Sequence, residues 1–230
     1  GRCLEVCPGW KLEHDPFPDN IIEELKDGWG PVLGLYEGYA SDSEIRFKGS
    51  SGGLATALAL HGLKMEEVAG VLHIRPDEAD PLENIPVFSR TREDLIAVMG
   101  SRYAPAAPCQ AFDWIKNADG PCIFIGKPCD VAALCKAQKI DPLLKEKVAL
   151  TISIFCAGTP AKSWTLAVLG AMGISNPNEV TVFRYRGNGW PGMVEAQCKD
   201  GKCSQMTYEK GWGEILTRHV QLRCRFCPDG

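Results

Sequence analysis

The sequence contains no long apolar run, no excess of positive charge and few histidines. None of its hydrophobic stretches approaches the roughly 20 residues that a membrane-spanning helix needs, so we expect no membrane span. Lysine and arginine number 25 against 29 aspartate and glutamate, a formal net charge of −4, which argues against nucleic acid as the main partner. The 4 histidines show no ligand spacing, and no nucleophile elbow, zinc-protease motif or paired acidic motif is present. Acid–base hydrolysis therefore has no candidate residues.

Cysteine is the residue in excess, with 11 copies among 230 residues. An odd count in a chain of this length fits a disulfide framework poorly. Thiolate ligands for a metal in a reducing compartment fit better, and we expect a cytoplasmic protein. Hydrophobic residues make up 45% of the chain and charged residues 23%, which are ordinary values for a folded globular protein.

The N-terminal stretch reads Cys3-x3-Cys7-Pro8, like the end of the bacterial ferredoxin run C-x2-C-x2-C-x3-C-P. Two cysteines alone cannot hold a cubane cluster, so the rest of such a run would lie upstream. We expect residues 1–12 to be the tail of a ferredoxin-like segment, 13–31 a linker and 32–230 the main domain of a longer protein truncated at both ends. The alternative is two incidental cysteines in a tail.

Apolar periodicity and turn residues predict an α/β chain of mixed, partly α+β character, in which helices flank a mixed β-sheet. The hairpin signal is Lys199-Asp200-Gly201-Lys202. The predicted strands cover 32–40, 69–74, 85–89, 121–125, 148–155, 180–186, 193–198 and 203–208. The predicted helices cover 54–63, 95–99, 129–139, 161–172 and 209–218.

Three segments share the order strand, glycine-containing turn and helix start: residues 49–56, 126–129 and 156–160. Helix N-termini offer unpaired N–H donors and the positive end of the helix dipole, which suit phosphate groups. None of the three matches the phosphate loop or the dinucleotide fingerprint. Each could therefore hold a pyrophosphate-bearing cofactor or be only a tight connection.

Four cysteines have the strongest claim to bind a metal. Cys224-x2-Cys227 has the spacing of a metal knuckle. Cys129 opens a predicted helix and Cys156 ends a predicted strand, positions that converge at one edge of an α/β sheet. The alternatives are a zinc site or redox disulfide for the 224/227 pair, and small buried apolar residues for Cys129 and Cys156.

Taken together in chain order, the motifs resemble those of the coenzyme F420 hydrogenase/dehydrogenase beta-subunit family. Each motif is weak alone, whereas six in order over nearly the whole chain are specific. The matching stretches are Phe47-Lys48-Gly49-Ser50-Ser51-Gly52-Gly53 with Thr56, Gly100-Ser101-Arg102-Tyr103, Gly126-Lys127-Pro128-Cys129, Phe155-Cys156-Ala157-Gly158, the 185–192 loop and Cys224-Arg225-Phe226-Cys227-Pro228-Asp229.

The resemblance implies an iron–sulfur flavoprotein that binds FAD and a [4Fe-4S] cluster. It assigns cluster ligation to Cys129, Cys156, Cys224 and Cys227, with Cys3 and Cys7 as possible ligands of a second cluster. It assigns the flavin site to Ser50, Ser51, Gly52, Gly53, Thr56, Ser101, Arg102, Tyr103, Gly126, Lys127 and Pro128. Arg186 would border the substrate, and Arg186 and Lys127 are the candidate catalytic residues. Lys127 replaces the family's usual threonine and Arg102 its usual lysine, which puts the flavin environment in question.

The expected function is an oxidoreductase that passes electrons between the cluster and FAD, and by hydride transfer to or from coenzyme F420 or another small molecule. Its partner would be a redox subunit or a ferredoxin. The alternatives are a non-catalytic electron-relay subunit of a larger complex and a zinc-stabilised interaction domain.

Overall fold

A computed structural model describes residues 2–11, 16–65 and 68–227. Residues 12–15, where the predicted ferredoxin-like tail meets the linker, lie outside the described residues, as do Pro228 and Asp229 of the last motif. The predicted domain boundaries therefore stay predictions.

The larger sheet has four strands in the order β2-β1-β3-β4. These are β1 (Gly70–Pro76), β2 (Asn84–Ser89), β3 (Cys122–Gly126) and β4 (Val148–Ser153). β1 and β2 form an antiparallel hairpin, whereas β3 runs parallel to both β1 and β4. The sheet is therefore mixed, and the carboxyl ends of β3 and β4 lie side by side.

The smaller sheet is antiparallel, in the order β5-β6-β7. It consists of β5 (Val180–Arg184), β6 (Met193–Cys198) and β7 (Cys203–Thr207). The turn between β6 and β7 is closed by the Gly201 amide, which donates to the Cys198 carbonyl, and Gly201 has a positive φ of 82° that favours glycine.

The α-helices of the described residues are α1 (Arg2–Glu5), α2 (Lys26–Trp29), α3 (Ser43–Lys48), α4 (Leu54–Leu63), α5 (Arg92–Ala97), α6 (Phe112–Lys116), α7 (Pro128–Ile140), α8 (Pro142–Lys147) and α9 (Lys162–Ala171). Of these, α4 and α5 cover one face of the larger sheet, and α6, α7 and α8 cover the other. A π-helix at Glu209–Ile215 and 3-10 helices at Leu216–His219 and Leu222–Phe226 follow the smaller sheet. Among the described residues, no helix combines the length and the apolar character that crossing a membrane requires.

Strand alternation divides the core of the larger sheet into two layers. Val71 and Ile123 pack on one face with Ala59 of α4 and Leu95 of α5. The adjacent residues in these strands, Leu72, Cys122 and Phe124, point to the opposite face of the sheet. There they pack against α6, α7 and α8. A third cluster, which includes Tyr185 and Leu169, joins α9 to the smaller sheet.

The predicted class, a mixed sheet flanked by helices, is confirmed, and the structure adds that the C-terminal hairpin belongs to a separate sheet. The strand predicted over 32–40 is wrong: these residues lie outside any helix or strand, and Leu35 and Tyr36 are exposed. Alternating apolar residues favour an extended chain there, but no strand among the described residues pairs with the segment. The helix predicted over 209–218 forms as the π-helix and 3-10 helix instead.

His73 in β1 gives the fold a dependence on pH. Its Nε2 lies 2.8 Å from the Ser89 hydroxyl oxygen, and burial lowers the pKa of His73 from 6.5 to about 4. Between these two pKa values, His73 binds a proton in the unfolded chain but not in the folded chain. The contribution of His73 to the free energy of unfolding is therefore fully present above pH 6.5 and is lost as the pH falls toward 4. We expect a loss of about 1–2 kcal/mol between pH 7.5 and pH 5 from this residue, measured by urea unfolding.

The matched variant His73→Gln keeps a hydrogen-bonding side chain without the titration. Its unfolding free energy should vary less than that of the wild type over this range. Equal pH dependence in both proteins would contradict the assignment to His73.

Candidate functional site

Four cysteines from three parts of the chain approach one another at the carboxyl edge of the larger sheet. Gly126 at the end of β3 pairs with Ser153 at the end of β4. Cys129 therefore opens α7 next to the segment that carries Cys156. We call Cys129, Cys156, Cys224 and Cys227 the cysteine group.

The C-terminal segment is attached to this edge by main-chain contacts. Pro160 and Val220 form an isolated bridge, and the Gln221 amide donates to the Thr159 carbonyl at 3.0 Å. The Thr159 amide in turn donates to Cys224 Sγ at 3.4 Å. The 3-10 turn of residues 222–226 then brings Cys227 beside Cys224, with the Cys227 amide donating to the Cys224 carbonyl at 3.3 Å.

The thiols of the cysteine group influence one another electrostatically. Burial raises the pKa of Cys129 to about 11, and the Asp130 carboxylate, Cys156 and Cys227 also raise it. Burial likewise raises the pKa of Cys156, with further contributions from Cys224 and Cys227. A bound metal would displace these protons and pair the thiolates with positive charge. In the described part of the chain, no three histidine, cysteine or carboxylate side chains are placed closely enough to hold a metal ion as they stand.

Lys127 is paired and lies beside the cysteine group. Its Nζ lies 2.6 Å from Asp130 Oδ2, and both side chains are largely buried. Burial lowers the pKa of Lys127, but the Asp130 carboxylate and, to a smaller extent, the thiols of Cys129 and Cys156 raise it, and the net shift is upward. The Asp130 carboxylate therefore partly neutralises the Lys127 charge. The remaining positive charge lowers the pKa values of Cys129 and Cys156. Asp130 was missed by sequence reasoning, although its position three residues into α7 is typical of a capping carboxylate.

A cavity of about 650 Å³, whose lining includes no residue of the cysteine group, opens between the turn before α4, the 186–191 loop and the segment that follows β7. We call it the aromatic cavity, because two tryptophans and a tyrosine line it. Its lining consists of Ser51, Arg186, Trp190, Pro191, Tyr208, Glu209, Trp212, Gly213 and Glu214. The lining includes Ser51 and Arg186 of the predicted flavin and substrate residues, but neither Lys127 nor Pro128.

Aromatic contacts support the lining of the aromatic cavity. Behind the lining, the ring centroids of Tyr103 and Trp212 are 4.3 Å apart with their planes tilted by 36°, and the Arg186 guanidinium lies 4.7 Å from the centre of the Tyr208 ring. Burial, followed by the hydrogen bond with Tyr103, raises the pKa of Tyr208 to about 12, while Arg186 opposes the shift. Tyr208 stays a neutral phenol at physiological pH. Sequence analysis missed Tyr208 and Trp212, which lie at the end of the strand predicted over 203–208 and within the helix predicted over 209–218.

The turn before α4 is held in an uncommon backbone conformation. Ser51, Gly52 and Gly53 have φ values of 50°, 71° and 70°. A Cβ at Gly53 would meet the Ile45 carbonyl oxygen at 2.6 Å, so this position requires glycine for space as well as for φ. The Ser101 amide donates to Ser50 Oγ at 2.9 Å, which ties this turn to the 100–103 loop.

Arg102 is fully engaged with the protein itself. Its Nη1 donates to the Phe183 carbonyl and its Nη2 to the Pro81 carbonyl, each at 2.7 Å, and Nε donates to Asn84 Oδ1 at 2.8 Å. Its guanidinium also lies 5.2 Å from the centre of the Tyr185 ring. The predicted flavin contact of Arg102 stays a prediction; the hydrogen bonds give this residue a structural role, joining the β1–β2 turn to the smaller sheet.

The other predicted residues lie in different places. Thr56 is half-buried in the first turn of α4. Gly126 is buried at the end of β3, where a Cβ would meet the Cβ of Asp130 at 2.8 Å, and Pro128 occupies the first turn of α7. Cys3 is exposed and Cys7 is half-buried. Arg223 donates to the Pro8 carbonyl at 2.9 Å, so the two cysteine-rich ends of the chain meet.

Two family models match the chain. Residues 35–112 match "Coenzyme F420 hydrogenase/dehydrogenase, beta subunit N-term", and residues 121–230 match the model of the C-terminal part of the same beta subunit. The coenzyme F420 hydrogenase subunit beta of Methanosarcina barkeri is 28% identical over 138 residues, which is 55% of this chain and 46% of that protein. The F420-dependent formate dehydrogenase 1 subunit beta of Methanococcus maripaludis is 33% identical over 127 residues, 54% of this chain and 32% of that protein.

A solved structure shares the fold. A chain of the F420-reducing [NiFe] hydrogenase complex from Methanosarcina barkeri superposes with a TM-score of 0.61 at 21% identity, over 82% of this chain and 63% of that chain. The present chain spans less than half the length of the curated relatives it matches.

The two family models together match most of the chain, and the solved structure shares its fold. The chain belongs to the coenzyme F420 hydrogenase/dehydrogenase beta-subunit family.

Proposed function

We propose that the chain is part of an iron–sulfur flavoprotein that moves electrons between a [4Fe-4S] cluster and FAD, and from there to or from coenzyme F420 or another small hydride acceptor or donor. The observation that carries the proposal is the approach of Cys129, Cys156, Cys224 and Cys227, which lie far apart in sequence. Four thiolates are the ligand set that a cubane cluster requires.

The chain's own residues would bind, orient and shield the two groups. A flavin exchanges two electrons with a hydride partner and single electrons with an iron–sulfur cluster. The cysteine group would hold the cluster at the sheet edge, and the hydrogen bond from the Thr159 amide to Cys224 Sγ would tune its potential. Trp190 and Trp212 would pack against a planar ring in the aromatic cavity, with the phenol of Tyr208 beside it.

Relatives of the chain are subunits of hydrogenase and formate dehydrogenase enzymes, so a redox partner subunit or a ferredoxin would exchange electrons with the cluster. All 11 cysteines lie among the described residues, and no disulfide joins any of them there. This agrees with a protein that works in a reducing compartment.

The proposal is tested by the visible spectrum and metal content of the purified full-length protein. Flavin bands on a broad sulfide-to-iron shoulder support it. Iron with the shoulder but without flavin favours the electron-relay alternative. Colourless protein with one zinc per chain favours the zinc-stabilised domain, since four thiolates also suit zinc.

The charge of Lys127 gives a second prediction. Replacing Lys127 by threonine removes a cation beside Cys129 and Cys156 and leaves Asp130 unpaired. Because positive charge stabilises the more reduced, more negative cluster, we expect the cluster midpoint potential to become more negative, measured by redox titration with electron paramagnetic resonance. Flavin potential should change less, since Lys127 does not line the aromatic cavity.

Lys136→Thr is the matched control. Lys136 lies in the same helix and donates to the exposed Lys11 carbonyl, away from the cysteine group. A cluster potential shifted equally by both variants, or by neither, would contradict the role of Lys127.

A further inference from the structure

The cysteine group lies directly beneath the protein surface at the carboxyl edge of the larger sheet. Its four members are half-buried, whereas several residues next to them in sequence are exposed. Phe155, which precedes Cys156, is 93% exposed, and Phe226, which precedes Cys227, is 76% exposed. A protein that docks at this edge would therefore touch residues that are one position away from the proposed ligands.

Large apolar side chains are concentrated at this edge. Leu222 lies in the same 3-10 turn as Phe226 and is 70% exposed. On the other side, the Trp29 ring lies 6.3 Å from the Phe155 ring, edge to face, and Trp29 is also 70% exposed. Single exposed apolar residues are ordinary, but four large ones around one site are typical of an interaction surface.

Positive charge accompanies the apolar side chains. Residues 216–227 contain three arginines and neither aspartate nor glutamate, although the whole chain has a formal net charge of −4. Arg223 donates to the carbonyls of Pro8 and Gly9, which carry no net charge. Within the part of the chain that the structure describes, no hydrogen bond or ion pair holds Arg225. Both guanidinium groups therefore keep their positive charge for a partner.

The carboxylate nearest to the thiols does not cancel this charge, because Asp130 is largely buried and pairs with Lys127. Aromatic residues and arginine are enriched in the centres of protein interfaces, from which lysine, aspartate and glutamate are depleted. The exposed residues around the cysteine group have this composition. We call them the docking surface: Trp29, Phe155, Leu222, Arg223, Arg225 and Phe226.

We propose that the docking surface binds an acidic electron-transfer protein of the ferredoxin type. Carboxylates of the partner would meet Arg223 and Arg225, and the apolar side chains would exclude water between the two proteins. The inference rests on the proposed function for its choice of partner. The reduced carrier would give up one electron to the proposed cluster, and no bond would form or break.

The test measures the affinity of the full-length protein for an acidic bacterial ferredoxin by isothermal titration calorimetry. In Arg225→Glu we expect the dissociation constant to rise about tenfold or more, because repulsion replaces attraction. Lys202→Glu is the matched control: it makes the same change of charge at an exposed residue in the turn between β6 and β7, and its affinity should stay within about twofold of the wild type.

Iron per chain is measured in each variant, since Arg225 lies between Cys224 and Cys227. If Arg225→Glu loses iron, the wild type decides. Its affinity for ferredoxin should fall about tenfold between about 50 mM and 300 mM sodium chloride, because salt screens exposed charges. Cytochrome c, a basic electron carrier, should bind at least about tenfold more weakly than ferredoxin at the lower salt concentration.

The apolar part of the docking surface is tested by Phe155→Ser. Removing this exposed ring should weaken ferredoxin binding about fivefold or more and leave its salt dependence unchanged, because no charge is altered.

Equal affinity of the wild type and an iron-loaded Arg225→Glu protein overturns the inference, as does binding that is insensitive to salt. A wild type that binds no ferredoxin, that binds cytochrome c equally well, or that covers this surface in a dimer which Arg225→Glu dissociates, overturns it too. If the purified protein still contains iron and flavin, these results leave the proposed function intact. Protein with neither iron nor flavin overturns both.

Discussion

Replacing Cys224 by serine should lower the iron bound to the full-length protein about tenfold or more. A serine hydroxyl is a poor substitute for a thiolate toward iron–sulfur clusters. The Thr159 amide also loses its sulfur acceptor, so the C-terminal segment is held less firmly at the sheet edge. The measurements are iron and acid-labile sulfide per chain after anaerobic purification.

Cys129→Ser and Cys156→Ser should have effects of the same size, because each removes one of four ligands. Cys203→Ser is the matched control, since Cys203 is exposed in β7 on the hairpin. Full retention of iron in the Cys129, Cys156 and Cys224 variants would refute the ligand assignment and leave the family membership untouched.

Replacing Arg102 by alanine should destabilise the fold by about 3–5 kcal/mol. The guanidinium satisfies the carbonyls of Pro81 and Phe183, and its removal leaves these acceptors without a partner between the β1–β2 turn and β5. The free energy of unfolding from urea titrations at pH 7.5 measures the loss.

The Arg102→Lys variant distinguishes the contribution of the positive charge to stability from the contribution of the guanidinium hydrogen bonds. A single ammonium cannot reproduce the planar fork that reaches Asn84 and two carbonyls at once, so we expect a loss of about 1–3 kcal/mol although the charge is kept. Arg75→Ala is the surface control: its ion pair with the exposed Glu78 should contribute no more than about 1 kcal/mol. A cost for Arg102→Ala as small as that of Arg75→Ala would show that its hydrogen bonds do not support the fold.

Local signals predicted most of the regular elements. Pro128 followed by an apolar-periodic run predicted a helix over 129–139, and α7 covers Pro128–Ile140. The lysine-aspartate-glycine turn predicted the hairpin that β6 and β7 form. These features depend on residues close together in sequence, where spacing and backbone preference decide the structure.

Contacts between distant segments could not be predicted in this way. Residues 32–40 alternate like a strand, but a strand also needs a neighbouring strand, and the part of the chain that the structure describes offers none to them. The ion pair of Lys127 with Asp130 was not predicted. The acceptors of Arg102 were not predicted either, because they come from residues 81–84 and from Phe183. The flavin contacts of both residues stay predictions.

The sequence by itself supplied the ligand chemistry of the proposed cluster, because cysteine is abundant and is spaced as a soft metal centre requires. It also determined the glycine turn before α4, since Gly53 has no alternative that fits. The tertiary structure alone decided how the C-terminal cysteine pair is attached to the sheet edge and that Lys127 pairs there with Asp130. Those outcomes depend on the pairing of β3 with β4 and on the return of the C-terminal segment to Thr159, and such long-range contacts arise from packing that no local pattern encodes.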